Sequence, residues 1–189
     1  MNRIVTSSVE VHPGWQQVNP MRIIRAETEK DYPAVHRVNE LAFPGSNEAG
    51  LVDALREVVH PCISLVAVVD GQVVGHIFFS PVSIESNQGI STAMGRGPMG
   101  VLPEYQRQGI GSQLVQEGLR ECQRIGHDIV VLVGHPEYYP RFGFKTAKPR
   151  GLRCEYDVPD EAFMVAELRP GALEGIRGAV KYNPEFNKI

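Results

Sequence analysis

The apolar positions along this chain follow two spacings, one typical of strands and one typical of helices. Apolar runs rich in β-branched residues at 63–69 and 129–133 predict buried strands, and a similar run follows at 73–79. Asp70 and Gly71 stand between the runs 63–69 and 73–79, which predicts a hairpin joining these two strands. Further strands are expected at 21–26, 82–86 (continuing the third strand after a kink at Pro81), 93–101, 152–156 and 162–168, with a short edge strand within 170–182.

Three stretches carry the three- and four-residue spacing of amphipathic helices. Thr28 with Asp31 is typical of a capped helix start, and Ser46 is expected to cap the second helix. Ser112 is expected to cap the third, which ends before Gly126. The expected inward-facing residues are Val35, Val38, Leu41 and Ala42 in the first helix, Ala49, Val52 and Leu55 in the second, and Leu114, Val115, Gly118, Leu119, Cys122 and Ile125 in the third.

Residues 1–20 show no such spacing and mix Ser, His, Pro, Gly and Gln, so we interpret them as an N-terminal extension. A chain of 189 residues suits a single domain with one substantial core, which we place at 21–189. A short helical turn is also expected between the strand 129–133 and the bend at Phe142, so the predicted element order is β-α-α-β-β-β-α-β-α-β-β, which favours a mixed α/β class.

Residues 101–112 carry the strongest chemical signal and read Val-Leu-Pro-Glu-Tyr-Gln-Arg-Gln-Gly-Ile-Gly-Ser. This polar turn connects a predicted strand to a predicted helix. Because glycine lacks a Cβ, the backbone at Gly109 and Gly111 can curl and approach a ligand closely. The first amides of a helix have no intrahelical partner and lie at the positive end of its dipole. The stretch therefore predicts a cradle for an anion such as a pyrophosphate.

Two common nucleotide signatures fit this turn poorly. The chain has no Gly-x-x-x-x-Gly-Lys-Ser/Thr string, and Leu114 stands where a dinucleotide fingerprint has its third glycine. Residues 129–133, about 20 positions further on, hold no acidic partner for a ribose.

The string Gln106-x-x-Gly109-x-Gly111, preceded by Val101-x-Pro103, instead resembles the acyl-CoA loop of the GNAT N-acetyltransferase superfamily. Tyr139 stands four residues before Gly143, within a Tyr-Tyr-Pro-Arg-Phe-Gly-Phe stretch similar to that of a small bacterial branch. The resemblance implies a GNAT fold of the α+β type. Its sheet would be mixed and mostly antiparallel, splayed between the fourth and fifth strands, with helices on both faces.

The resemblance also implies direct transfer of an acetyl group from acetyl-CoA, as co-substrate, to an amine of a small molecule or amino acid. The backbone N–H of Val101 would polarise the thioester carbonyl. Tyr139 would be the general acid, since a phenol with a pKa of about 10 is protonated at neutral pH. In the alternative, Tyr139 packs under the cofactor and Tyr138 or a water molecule is the donor. The implied cofactor-binding residues are Met99, Gly100, Val101, Gln106, Arg107, Gln108, Gly109, Ile110, Gly111, Ser112 and Tyr139.

The general base is less clearly marked. Glu40, at the end of the first predicted helix, is the expected catalytic carboxylate, and Glu48 and His135 are alternatives. Each of the three is also explained as an ordinary surface or backbone-bonded residue. His76, on a predicted strand, is interpreted as structural.

Composition narrows the partners. A formal net charge of −3 disfavours binding to nucleic acid through its phosphates. Three scattered cysteines without zinc spacing indicate reduced thiols in a cytoplasmic protein and no metal site. No apolar run reaches the roughly 18 residues of a membrane span.

Several alternatives stay open at this level. One is a protein N-acetyltransferase, another a CoA-binding regulatory or partner domain without turnover, and a third a nucleotide-binding α/β protein. A homodimer is compatible with the resemblance.

Overall fold

A nine-stranded sheet with three α-helices forms from residues 21–45 and 47–188, the part of the chain described by the computed structural model. The strands are β1 (Arg22–Ala26), β2 (Ile63–Val69), β3 (Gln72–Ser86), β4 (Gly89–Val101), β5 (Ile129–Val133), β6 (Lys145–Thr146), β7 (Leu152–Cys154), β8 (Phe163–Glu167) and β9 (Gly178–Lys181). The helices are α1 (Tyr32–Ala42), α2 (Glu48–Val58) and α3 (Ile110–Arg124). The predicted extension 1–20 and the predicted cap Ser46 lie outside the described residues.

The sheet is mostly antiparallel, with the order β1-β2-β3-β4-β5-β8-β6. The pairing of β4 with β5 is parallel and spans only Met94–Arg96 opposite residues 130–132. Beyond Arg96 the two strands separate, while β4 continues to Val101 along β3. The predicted splay between the fourth and fifth strands is therefore confirmed.

Helices α1 and α3 cover opposite faces of this sheet. A Cβ on Gly75 would lie 3.1 Å from Leu114 of α3, and a Cβ on Gly100 would lie 3.0 Å from Ala42 of α1. Gly75 pairs with Val101, and successive strand residues point to opposite faces, so the two glycines face opposite sides. None of the helices in the described residues is long and apolar enough to cross a membrane.

The predicted cap holds the 3-10 turn Glu29–Asp31, which leads directly into α1. The carboxylate of Asp31 accepts hydrogen bonds from the N–H and hydroxyl of Thr28, at 2.8 and 2.9 Å. Arg25 of β1 donates to both oxygens of the same carboxylate, at 2.7 and 2.9 Å, and holds the pKa of Asp31 well below its usual range. The cap therefore also ties α1 to the first strand.

The inner face of α1 differs from the prediction. Leu41 is 36% exposed, whereas Asn39 is fully buried. The Asn39 side chain donates to the carbonyl of Val35 at 2.9 Å and lies 3.1 Å from Nδ1 of His76, whose Nε2 lies 2.9 Å from the hydroxyl of Ser64. Burial lowers the pKa of His76 to about 3. A hydrogen-bonded polar group thus replaces the expected leucine, and periodicity of apolar residues does not reveal it.

The C-terminal strand is an inner strand and not an edge strand. β9 pairs antiparallel with residues 83–85 of β3 and parallel with β7. The extra length of β3 after residue 79 provides this second pairing edge. The prediction of an edge strand is wrong because the partner, β3, lies almost 100 residues earlier in the chain and only tertiary packing reveals it.

Candidate active site

The turn between β4 and α3 is shaped by two residues in the left-handed region. Gly109 has φ +83° and precedes α3 directly, and Arg107 has φ +59°. The prediction that Ser112 caps α3 is wrong, because the helix already begins at Ile110 and Ser112 lies within its first turn. The first amides of α3, which have no intrahelical partner, come directly after this curled loop in the chain. An anion-binding cradle requires this arrangement.

Two glutamines bond to the backbone of the loop that carries them. Nε2 of Gln106 donates to the carbonyl oxygen of Val101 at 3.0 Å, and Nε2 of Gln108 donates to that of Glu104 at 2.9 Å. Their side chains therefore hold the shape of the loop and its attachment to β4. The side chain of Arg107, by contrast, is exposed.

The outer edge of β4 is open where the sheet splays. The N–H of Leu102 donates to the carbonyl of Val74 at 2.9 Å, on the β3 side. Since backbone groups alternate along a strand, those of Met99 and Val101 point to the other edge. Pairing with β5 on that edge ends at Arg96. A ligand with amide groups can add there as an extra strand.

A cleft of about 500 Å³ lies between this edge and the loop, and we call it the loop cleft. Its lining residues are Met99, Val101, Tyr105, Gln106, Arg107, Gly109, Gly111, Ser112, Tyr138 and Arg141. The predicted residues Gly100, Gln108 and Ile110 are not among them: Gly100 faces α1, and the side chain of Ile110 is buried in the core. Tyr105, Tyr138 and Arg141 are lining residues that the sequence analysis missed.

Tyr138 closes the loop cleft at the start of α3. Its hydroxyl lies 3.3 Å from the hydroxyl of Ser112, and a Cβ at Gly111 would lie 3.1 Å from it. Glycine at position 111 therefore permits the close approach of this phenol. The guanidinium of Arg141 stacks on the Tyr138 ring, 4.8 Å from its centroid.

Tyr139, the predicted general acid, occupies a different position. It is only 4% exposed and lines neither the loop cleft nor the cavity described next. Its ring packs beneath the guanidinium of Arg96, 4.5 Å from the centroid, and a Cβ at Gly134 would lie 2.5 Å from the ring. Burial raises the pKa of Tyr139, so its hydroxyl stays protonated at neutral pH. Its place is thus behind Arg96, where β4 and β5 separate.

A second cavity, of about 550 Å³, lies across the splay, and we call it the splay cavity. It shares Met99 with the loop cleft. Its lining residues are Phe43, Glu48, Leu51, Arg96, Gly97, Pro98, Met99, Val133, Tyr156, Val158, Tyr182, Phe186 and Asn187. Residues of α2, of the β4–β5 splay and of the C-terminal segment thus meet around one space.

The three predicted base candidates separate clearly in space. Glu48, at the first position of α2, lines the splay cavity. Glu40 is exposed, forms an ion pair with Arg37 at 2.8 Å, and lines neither cavity. His135 is also exposed and outside both cavities.

This chain combines a splayed sheet, a glycine loop at a helix start and two adjoining cavities, as expected for an acyltransferase. Similarity to known proteins supports the same class. Residues 23–147 match the acetyltransferase (GNAT) domain family. The chain therefore belongs to the GNAT family of N-acetyltransferases.

Relatives from bacteria support this assignment. The chain is 38% identical to YhbS of Escherichia coli strain K12, described as an uncharacterized N-acetyltransferase, over 88% of this chain and 99% of the relative. The crystal structure of YhbS from Escherichia coli in complex with CoA is similar, with a TM-score of 0.82 and 37% identity, and covers 90% of this chain and 94% of the other. A GNAT acetyltransferase from Brucella melitensis in complex with acetyl-CoA has a TM-score of 0.72 and 36% identity, covering 88% and 98%.

Proposed function

We propose that this protein transfers the acetyl group of acetyl-CoA to the amine of a small molecule. The observation that carries the proposal is the meeting of the loop cleft and the splay cavity at Met99, beside an open strand edge. One cavity suits a phosphate-bearing cofactor and the other a separate acceptor. The crystal structures of the two bacterial relatives, which hold CoA and acetyl-CoA, support the choice of cofactor.

The loop cleft would hold the cofactor from its pyrophosphate to its thioester. The amides at Arg107–Ser112 would bind the pyrophosphate, and Arg107 and Arg141 would add positive charge at its rim. The amides of pantetheine would pair with the open backbone groups of Met99, on the same edge of β4. The thioester then arrives at the splay, where the N–H of Val101 can donate to its carbonyl oxygen.

Proton transfer completes the reaction. The neutral amine attacks the thioester carbon, the C–S bond breaks, the departing thiolate takes up a proton and the amine nitrogen loses one. For the proton donor we keep Tyr139: it lines neither cavity, but its ring packs directly beneath Arg96, which lines the splay cavity, whereas Tyr138 lies beside Ser112 at the start of α3. Its raised pKa keeps the phenol in the donating form.

For the base, the proposal moves from Glu40 to Glu48. Glu40 is exposed on the surface of α1 and lines neither cavity, whereas the acceptor would bind in the splay cavity. Glu48 lines the splay cavity and can accept the proton directly or through a water molecule.

A thiol-release assay tests the proposal with the purified full chain, acetyl-CoA and a panel of small amines, beside calorimetric titration with CoA. We expect CoA to bind and at least one small amine to release thiol. CoA binding without thiol release for any acceptor would favour a regulatory domain. Protection from heat unfolding by ATP or NAD, but not by CoA, would instead select a nucleotide-binding protein.

Acetylation restricted to peptides would point to a protein acetyltransferase. The volume of the splay cavity, about 550 Å³, is in the range of roughly 300–1,000 Å³ that small-ligand sites occupy, which favours the small amine.

A further inference from the structure

One nitrogen of the Arg96 guanidinium, in the wall of the splay cavity, has no hydrogen-bond partner within the described residues, although the group as a whole packs over the Tyr139 ring. Arg96 lies on β4 at the last pair with β5, and its Nε is buried without a hydrogen-bond partner in that part of the chain. Within the same residues no carboxylate lies within 4.0 Å of its guanidinium. A buried donor left unpaired costs free energy, and a charged one costs more. An anion bound where Arg96 lines the cavity would compensate the charge of its guanidinium.

A second unpaired polar atom belongs to another residue that lines the same cavity. The hydroxyl of Tyr182 is buried and has no hydrogen-bond partner within the described residues. Burial raises the pKa of Tyr182, so the hydroxyl stays neutral and can donate. Both Arg96 and Tyr182 line the splay cavity, and a carboxylate accepts hydrogen bonds from both kinds of donor.

The cavity wall also contains an aromatic part, formed by Tyr156, Tyr182 and Phe186, and one acidic residue, Glu48. Tyr182 stacks between Tyr156 and Phe186, with ring centroids 5.7 and 5.3 Å away. Glu48 adds the acidic residue, at the start of α2. The wall thus combines a cation, an anion and an aromatic surface around a space of about 550 Å³.

We infer that the acceptor is a small amine that carries a carboxylate next to its amine and an apolar body, as an α-amino acid with an apolar or aromatic side chain does. Arg96 and Tyr182 bind its carboxylate, the aromatic wall covers its side chain, and Glu48 faces its amine. This inference rests on the proposed acetyl transfer and specifies its substrate class. Arg96 and Tyr182 are specificity-determining residues in this arrangement.

A matched series of acceptors tests the inference at saturating acetyl-CoA. The series is L-phenylalanine, its amide and 2-phenylethylamine, which share an aromatic body and differ in the carboxylate. We expect kcat/KM for the amino acid to exceed that of the other two by about 10-fold or more, since a charge-assisted hydrogen bond of this kind contributes roughly 1.5–3 kcal/mol. Equal or better use of the amide or the amine would overturn the inference and leave the proposed acetyl transfer intact.

Two variants connect the effect to the residues. Arg96→Gln should raise KM for the amino acid about 10-fold, and Arg96→Lys should restore part of the loss, because it returns the charge without the guanidinium fork. Tyr182→Phe should raise that KM a few-fold and also raise the melting temperature, because it removes an unpaired buried hydroxyl. A rise in KM for acetyl-CoA, with KM for the acceptor unchanged, would place Arg96 in the cofactor site and contradict the inference.

A binding readout separates this inference from turnover. N-acetyl-L-phenylalanine, the product, should raise the melting temperature of the wild-type chain, and the shift should shrink in Arg96→Gln. If no amine releases thiol while CoA still binds, the proposed function fails, and the inference fails with it. If other amines release thiol while the product gives no Arg96-dependent shift, the inference alone is wrong.

Discussion

The loop cleft and the splay cavity adjoin at Met99 but are built in opposite ways. The loop cleft takes most of its lining from one stretch, 99–112, and the groups proposed to hold the cofactor there are largely backbone amides. The splay cavity draws on α2, β4, the end of β5, residues 156–158 and the C-terminal segment, and the groups proposed to bind the acceptor there are side chains. A site built from one continuous stretch of backbone can be recognised as a motif in the sequence. A wall of side chains from distant segments has no such motif.

The two spaces also differ in charge. Arg107 and Arg141 line the loop cleft at the start of a helix, so the whole space favours anions. The splay cavity sets one guanidinium, Arg96, and one acidic residue, Glu48, in an apolar surround. A cofactor with several phosphates fits the first, and a small molecule with one charge of each sign fits the second.

The largest effect is expected on proton transfer to the departing thiolate, the step for which the proposal needs both the cofactor and the acceptor. Tyr139→Phe should lower kcat by about 100-fold and leave CoA affinity nearly intact, because a general acid contributes roughly 10²- to 10⁴-fold. Since burial holds the pKa of Tyr139 above its usual value, the phenol is protonated throughout the range from about pH 6 to pH 9. The loss should therefore be the same factor at each pH in that range, measured by steady-state thiol release.

Tyr138→Phe is the matched control for that change. It removes a hydroxyl beside Ser112 at the start of α3, where the proposed function places the cofactor's phosphates, so it should alter KM for acetyl-CoA more than kcat. An unchanged rate in Tyr139→Phe, with a large loss of kcat in Tyr138→Phe, would transfer the acid role to Tyr138.

A smaller effect is expected from breaking the anion cradle. Gly109→Glu should raise the Kd for CoA about 30-fold, or roughly 2 kcal/mol, because a side chain at a φ of +83° is strained and its charge repels the pyrophosphate. Calorimetric titration with CoA measures the change.

Gly126→Glu offers a close control for that change. Gly126 also has a left-handed φ, +89°, follows the other end of α3, and has open space around it. The same strain and charge are introduced away from the cleft, so CoA affinity should stay within about twofold. A comparable loss in both variants would mean that the cradle is not at Gly109.

The wall of the splay cavity should respond differently. Phe186→Ala should raise KM for the acceptor by about 10-fold through lost apolar contact, with KM for acetyl-CoA nearly unchanged. Steady-state kinetics with each substrate varied in turn measure the two constants. An effect on acetyl-CoA alone would show that the C-terminal segment covers the cofactor and not the acceptor.

The smallest effect is expected at Met99, the residue that lines both spaces, and it should be similar for the two substrates. Met99→Ala should raise both KM values by about threefold, because its side chain lines both spaces. A change in only one constant would show that the two spaces do not serve one reaction.

Local signals in the sequence predicted a large part of this fold. The bounds of β2 and β5 agree with the predicted strands, and the hairpin at Asp70 and Gly71 has the expected left-handed φ values of +48° and +84°. The loop after β4 was also predictable, since its glycines are dictated by backbone angles and close approach. Each of these features depends on neighbours within a few residues.

Other features had no local signal. Tyr138 immediately precedes the 3-10 turn Tyr139–Phe142. Tyr138 and Tyr139 point in different directions, because successive side chains in such a turn diverge by about 120°. Which of them faces the loop cleft depends on α3 and on Arg96. Glu40 and Glu48 look alike in the sequence, and only the packing of α1 against α2 sends one to the surface and the other to the cavity.

The amino-acid sequence by itself determined the family, the order of the longer elements and the glycine loop at the start of α3, because backbone conformation and apolar spacing are encoded over short distances. Tertiary structure alone decided which polar groups share the splay cavity. Arg96, Tyr182 and Glu48 come from segments far apart in the chain, and their juxtaposition depends on the splay of β4 from β5 and on the return of the C-terminal segment beside β3. A side chain acquires its function there from neighbours that no short stretch of sequence contains.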